Sequence, residues 1–236
     1  MIRFYNNESI EDKKIFLENY KFLSNAYGIS PKIRILSLKS RRDLEIKLKR
    51  KISHQEIGFC NRESIYILNR NEIIRKTVWK KKHLSSLYLH ELVHGFNYAL
   101  NKQRRPLWLE EGIASFFSGM NLNNFVQAAM KKNKLIDFER LFTEQQWNSK
   151  ISILKYHQSG SFIGFIRNKY SFKKIIELKK KSHPNKKTFR ENFKKIFKKD
   201  FVELVREWKR YIKESSFPKI KRPWLLDQIE GLDNRT

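Results

Sequence analysis

Cysteine is nearly absent. Cys60 is the single one among 236 residues, so no disulfide can form within the chain and a reducing compartment suits it. Cys60 itself reads as a small buried strand residue rather than a catalytic thiol. Long hydrophobic runs are missing as well, and no segment approaches the roughly 20 apolar residues that a membrane-spanning helix needs. The opening MIRFYNNESIEDKK has neither the basic flank nor the apolar centre of a signal peptide, which makes the cytoplasm the expected location. No internal repeat is visible. Acidic residues are scarce: 24 Asp and Glu stand against 51 Lys and Arg, giving a net charge of +27. Such a charge attracts nucleic acid, anionic lipid or acidic protein. The cations are spread over most of the chain, however, and no zinc finger, RRM signature or basic zipper accompanies them. The expectation is weak, salt-sensitive adhesion to polyanions.

Against these absences one stretch stands out, Leu87 to Phe117, LYLHELVHGFNYALNKQRRPLWLEEGIASFF. In a helix, positions i and i+4 lie about 40° apart around the axis and about 6 Å apart along it, so His90 and His94 project from one face. That arrangement suits two imidazole nitrogens on one ion. Glu91 is turned about 100° from His90, too far to be an easy third ligand but close enough to reach a water in the ion's open position. This is the HExxH pattern, with the glutamate as general base. The apolar positions Leu84, Leu87, Tyr88, Leu92, Phe96 and Ala99 predict a helix running to about Leu100. Asn101 to Arg105 then reads as a short polar turn, and Pro106 suits the first turn of a new helix. So short a connection makes the two helices antiparallel neighbours and returns a glutamate, Glu110 or Glu111, toward the histidines. The two differ by about 100° around their helix, so both cannot face one ion equally well. Three protein ligands and an open position are the arrangement of a catalytic zinc. Without a third ligand, the HExxH helix would be a structural accident.

His90-Glu91-Leu92-Val93-His94 together with Trp108-Leu109-Glu110-Glu111-Gly112-Ile113-Ala114-Ser115 resembles the gluzincin zinc metallopeptidases, the peptidase MA family. In that family a WLxEGxA segment, as in aminopeptidase N-like enzymes, supplies the glutamate ligand; here sixteen residues separate His94 from Glu111. The resemblance selects Glu111 over Glu110. It implies one zinc ion per chain on His90, His94 and Glu111, with Glu91 as base, and a peptide or protein as substrate. No counterpart of the glycine-rich exopeptidase motif is present, which leaves endopeptidase and aminopeptidase action both open. Tyr156, His157, Ser159, Gly160, Ser161 and Phe162 resemble the family's segment of a Tyr followed by small residues and an apolar helix. Tyr156 or His157 is thus the candidate donor to the oxygen on which negative charge develops; otherwise each simply packs on its helix. The resemblance further suggests that one strand of the sheet, with Ser64 to Leu68 the candidate, borders the cleft and takes an extended substrate by strand addition; the plain alternative, compatible with it, is an ordinary core hairpin. Two readings from other classes compete: a catalytically inactive gluzincin scaffold that binds a protein partner, and a basic polyanion-binding protein.

The rest of the chain predicts an α+β, zincin-like fold in one domain: a sheet-bearing part over 1–82, the ligand helices over 83–118 and a helical part over 119–236. A hydrophobic content of 40% with 14% aromatics is enough for a packed globule. Ile2 to Tyr5 reads as a strand. Ser9 and Asp12 cap a helix whose stripe Phe16, Tyr20, Leu23, Tyr27 ends at Gly28. Ile33 to Leu38 is a second strand, Ser40 and Asp43 cap a basic helix to about Lys51, and Glu56–Cys60 with Ser64–Leu68 form a hairpin. Asn69 to Lys82 reads as a connection in which Trp79 packs. Phe125 to Lys132 and Leu135 to Phe142 read as short helices, and Lys179 to Lys187 as a loop. Phe189, Phe193, Ile196 and Phe197 make one apolar stripe, and Leu204, Val205, Trp208, Tyr211 and Ile212 another, capped by Asp200. From Phe217 onward, past Pro218 and Pro223, the tail is expected to run extended. His54, His83 and His183 fall outside any ligand spacing.

Overall fold

The computed structural model describes residues 1–5, 8–52, 56–103, 106–120, 122–149 and 153–217. His54 and the tail beyond Phe217 therefore lie outside the described residues, as do parts of the polar turn before Pro106 and of the lead-in to Tyr156. The fold is mixed α+β with one small sheet and is mostly helical. It divides into two compact units, with the boundary between Lys102 and Gln103. Among the described residues no helix is long and apolar enough to cross a membrane.

The first unit is built on four strands: β1 (Ile2–Tyr5), β2 (Ile33–Leu38), β3 (Gly58–Asn61) and β4 (Ser64–Leu68), in the order β1-β2-β4-β3. β1, β2 and β4 run parallel, whereas β3 pairs antiparallel to β4 across the tight turn that follows Asn61. Between β1 and β2 runs α1 (Ile10–Tyr27), started by the Ser9 side chain accepting from Asp12 N–H and stopped by Gly28 in the left-handed region at φ 66°. After β2, Ser40 and Asp43 form a complete capping box on α2 (Arg41–Leu48), which ends about a turn sooner than its basic run suggests because Lys49 turns left-handed. α3 (Arg70–Lys76), capped by Asn69, occupies what the sequence reads as a plain connection. α4 (Leu84–Leu100) follows a short 3-10 turn and packs on α1.

The sheet order corrects one expectation. β4 is hydrogen-bonded on both sides, to β2 from Ser64 to Leu68 and to β3 from Ser64 to Ile67, so its backbone has no open edge for an added strand. The edges are β1 and β3.

The second unit is helical: α5 (Leu107–Phe117), α6 (Asn123–Lys131), a 3-10 turn over Phe138–Leu141, α7 (Glu144–Asn148), α8 (Leu154–Lys169), α9 (Phe172–Lys180), α10 (Lys186–Phe197) and α11 (Phe201–Glu214). Its core is aromatic. Trp108 lies 5.3 to 5.9 Å, centroid to centroid, from Phe138, Phe162, Phe189 and Phe201, and Trp208 packs on Phe138 and Phe162. Each such ring removes about 150–250 Å² from water and dominates the packing here. The buried indole of Trp208 donates to Ser161 Oγ at 3.0 Å, so its polar atom is satisfied. Lys179 and Lys180 end α9 and Lys186 opens α10, which leaves only 181–185 of the expected loop outside helices.

Candidate metal centre

α4 carries His90, Glu91 and His94. Its roll is fixed inside the first unit. On one side Tyr88 stacks on Phe16 of α1, with centroids 4.3 Å apart and planes 7° apart, and its hydroxyl donates to Asp12 Oδ1 at 3.2 Å. Burial, and then the Asp12 carboxylate beside it, push the Tyr88 phenol well above its ordinary range, so it stays a neutral donor. Asp12 in turn lies 3.5 Å from Arg70 Nε, and the same guanidinium pairs with Glu11. That bond to Glu11 raises the Arg70 pKa and lowers that of Glu11. Toward the end of α4, Tyr27 OH donates to Asn97 Oδ1 at 2.9 Å, and Gly95 lets the helix backbone lie directly on Ile33 of β2.

With α4 held in this way, the imidazoles of His90 and His94 stand on one face, ring centroids 5.0 Å apart and nearly perpendicular. His94 and Glu91 are buried, at 7% and 8% exposure, and His90 is partly open. One ligand atom each of His90, His94 and Glu111 lie within 4.8 Å of one another, and Glu111 is likewise partly open. Zinc takes its ligands at about 2.0–2.2 Å in tetrahedral array, so bound donor atoms stand about 3.4 Å apart. A spread below 4.8 Å closes by small side-chain rotations. Two imidazole nitrogens and a carboxylate are a donor set that binds a divalent ion and leaves one position open. The residues fit a metal.

Glu110 takes no part in this group. Its carboxylate meets Lys179 Nζ at 2.5 Å, both side chains being almost wholly buried, and Lys179 also donates to Gln103 O at 2.6 Å. The adjacent glutamates of α5 thus lie in different surroundings, Glu110 against Lys179 and Glu111 beside His90 and His94. On the far side of Glu111, Gly112 faces α8: a Cβ there would lie 2.9 Å from Ser159 O and from Ile163 Cγ1.

Tyr156 sits one turn before Ser159 on α8, and by helical spacing lies within about 60° of both residues that meet Gly112. Its ring meets Trp147 edge to face at 5.1 Å and lies under Lys155 Nζ at 5.5 Å. His157 points elsewhere: it is 4% exposed, its Nδ1 accepts from Leu122 N–H at 3.4 Å, and its ring packs on Phe125 of α6. Its described contacts are thus with the start of α6. His83 Nδ1 accepts from Lys80 N–H and His183 Nδ1 from Asn185 N–H, so both serve local turns. Trp79 packs on His83 and Cys60 is buried in β3.

Two supports of the site escape a sequence reading. The Tyr88–Asp12–Arg70 chain joins residues far apart in sequence, and no local pattern announces it. Lys179 does leave a trace, since it falls three and four positions after Ile176 and Ile175 on the apolar stripe of α9. No family model matches the chain, and no curated protein matches it either; the case for the site rests on its own residues.

Proposed function

We propose that the chain is a zinc-dependent metallopeptidase of the gluzincin kind, with a zincin-like fold, acting on a peptide or protein. One observation carries this reading: the HExxH histidines and the glutamate of the WLxEG-like segment, which the sequence resemblance pairs, are the three residues whose ligand atoms gather within 4.8 Å. His90, His94 and Glu111 would hold the ion. When bound, zinc supplies Lewis acidity, polarising the scissile carbonyl and bringing the pKa of a water down to about 7.

The chain's own residues supply the proton transfers. Glu91 adjoins His90 on α4, and its burial keeps its carboxylate away from bulk water. It accepts a proton from the attacking water as the new C–O bond forms, then delivers that proton to the amine nitrogen as the C–N bond breaks. Tyr156, on the α8 face that meets α5, is the candidate donor to the oxygen on which negative charge accumulates. An extended substrate adding a strand would have to use one of the edge strands, β1 or β3, since β4 is already paired on both sides. With Cys60 the only thiol, the reading suits a cytoplasmic enzyme.

The test is metal analysis of wild type and Glu111→Gln beside cleavage of a peptide library by wild type and Glu91→Gln. Glu111→Gln loses zinc, while Glu91→Gln keeps one zinc per chain and stops cutting. Cleavage by Glu91→Gln at the wild-type rate ends the enzyme reading. One zinc per chain with no Glu91-dependent hydrolysis turns it toward a scaffold that binds a partner.

A further inference from the structure

The Lys179–Glu110 pair is chemically out of place. Both side chains are buried, at 0% and 2% exposure, and Lys179 is more deeply enclosed than Lys155, the other buried lysine among the described residues, at 8%. Removing two charges from water is costly, and the attraction between them often only offsets that cost; an apolar pair of similar volume commonly serves stability as well or better. What a buried ion pair offers beyond an apolar contact is a fixed place for the charge: at 2.5 Å, though not aligned as a hydrogen bond, Lys179 Nζ holds Glu110 Oε1 on the α9 side of α5, which constrains the roll of that helix.

The roll matters because α5 carries two adjacent glutamates about 100° apart. Glu110 is bound to Lys179 of α9, and Lys179 also holds the chain just before α5 through Gln103 O. Gly112, about 200° round from Glu110, is pressed against Ser159 and Ile163 of α8 closely enough to exclude a Cβ. These two contacts flank Glu111 on either side and leave it the sector between them.

We propose that Lys179 is a positioning residue for the metal centre. By engaging Glu110 it sets the roll of α5 so that the carboxylate offered to the histidines is that of Glu111, and it withholds Glu110 as a competing ligand. This rests on the metal-site reading above and adds to it a cause for the choice between the two glutamates.

The experiment compares wild type, Glu111→Gln, Lys179→Met, the paired apolar replacement Glu110→Met/Lys179→Met and the combination Glu111→Gln/Lys179→Met. Each is titrated with zinc against a chromogenic chelator, its Co(II) form is examined by visible absorption, and its thermal unfolding is recorded. Lys179→Met weakens zinc binding about 10–100-fold, the range expected when a residue orienting a ligand is lost, and shifts the Co(II) bands. The paired replacement removes both buried charges and so keeps the fold, yet its zinc affinity stays low. In Glu111→Gln/Lys179→Met the released Glu110 takes the vacant role, and zinc binds more tightly than to Glu111→Gln alone; a residue of purely structural importance gives no such recovery. The inference is overturned if the paired replacement binds zinc with wild-type affinity and Co(II) spectrum, or if the combined variant shows no recovery over Glu111→Gln. Absence of zinc binding in wild type, or no loss in Glu111→Gln, would instead bring down the metal reading itself.

Discussion

Gly112→Ala adds one methyl group at the place where α5 and α8 come closest. The added carbon would stand 2.9 Å from Ser159 O, 2.9 Å from Ile163 Cγ1 and 3.1 Å from Ser159 C. Ordinary carbon contacts lie at about 3.5–4.0 Å, so the shortfall is roughly 0.6–1 Å. Ile163 can turn aside, but Ser159 presents helix backbone, which cannot move without α8; the helices must separate. Overpacking of this kind costs about 1–3 kcal/mol, and the better helix propensity of Ala over Gly offsets about 1 kcal/mol of it. The net loss is therefore about 0–2 kcal/mol, or up to about 4–8 °C in the unfolding midpoint for a chain of this length. On the proposed metal-site reading function suffers more than stability, because the neighbouring residue is Glu111. A carboxylate displaced by somewhat under 1 Å weakens metal binding about 10–100-fold, and a comparable misplacement of reacting groups costs about 100-fold in rate. Calorimetry, zinc titration and peptide cleavage measure the three effects. Gly95→Ala on α4 is the comparison: its added carbon meets only side-chain atoms of the buried Ile33, Cδ1 at 2.8 Å and Cγ1 at 3.4 Å, which can shift where helix backbone cannot. If Gly112→Ala melts and binds zinc like wild type while Gly95→Ala does the damage, the account of how α5 is seated is wrong.

Tyr156→Phe keeps the ring that packs on Trp147 and removes only the hydroxyl. If Tyr156 donates to the developing oxyanion, turnover falls by about 100–1000-fold with zinc content unchanged; unaltered turnover removes it from the site. Glu8 tests the linkage of folding to pH: burial raises its pKa, although hydrogen bonds from its own and the Ser37 backbone act against the shift. Its raised folded-state pKa means that the fold is favoured at pH below the ordinary glutamate value and that this support is withdrawn as pH rises through the folded-state value. Glu8→Gln has no such step, so its melting temperature relative to wild type climbs as pH rises above the ordinary glutamate value; a difference constant with pH refutes the assignment.

What could be read from the sequence was what local chemistry writes there. The limits of α4 follow from its apolar spacing and its polar end. Those of α1 follow from Ser9 at one end and Gly28 at the other, each satisfying backbone groups that a helix terminus leaves open. The candidate ligands were legible for the same reason, since two of them are one helical turn apart. The short helices α3 and α7 were missed although Asn69 with Glu72 and Thr143 with Gln146 mark their starts; neither is followed by an apolar stripe long enough to be noticed. Strand order was not legible. Nothing in Ser64–Leu68 says that it will be enclosed by β2 and β3, because that depends on which distant segments reach it.

The two glutamates of α5 show why spacing alone stops short of a site. Side by side in sequence, they carry the same functional group and the same local propensity, and only what surrounds the helix distinguishes them. Lys179 lies in a run of three lysines that composition would assign to solvent, yet it is the one whose position on α9 coincides with Ile175 and Ile176 and which the fold draws fully inside. Once there, a bare ammonium requires a carboxylate partner, since an unpaired buried charge costs far more than a paired one. Glu110 meets that need and so ties the roll of α5 to α9. On the metal-site reading proposed above, the electrostatics of a lysine on a neighbouring helix would then reach the ligand group through the geometry of α5, without that lysine being a ligand.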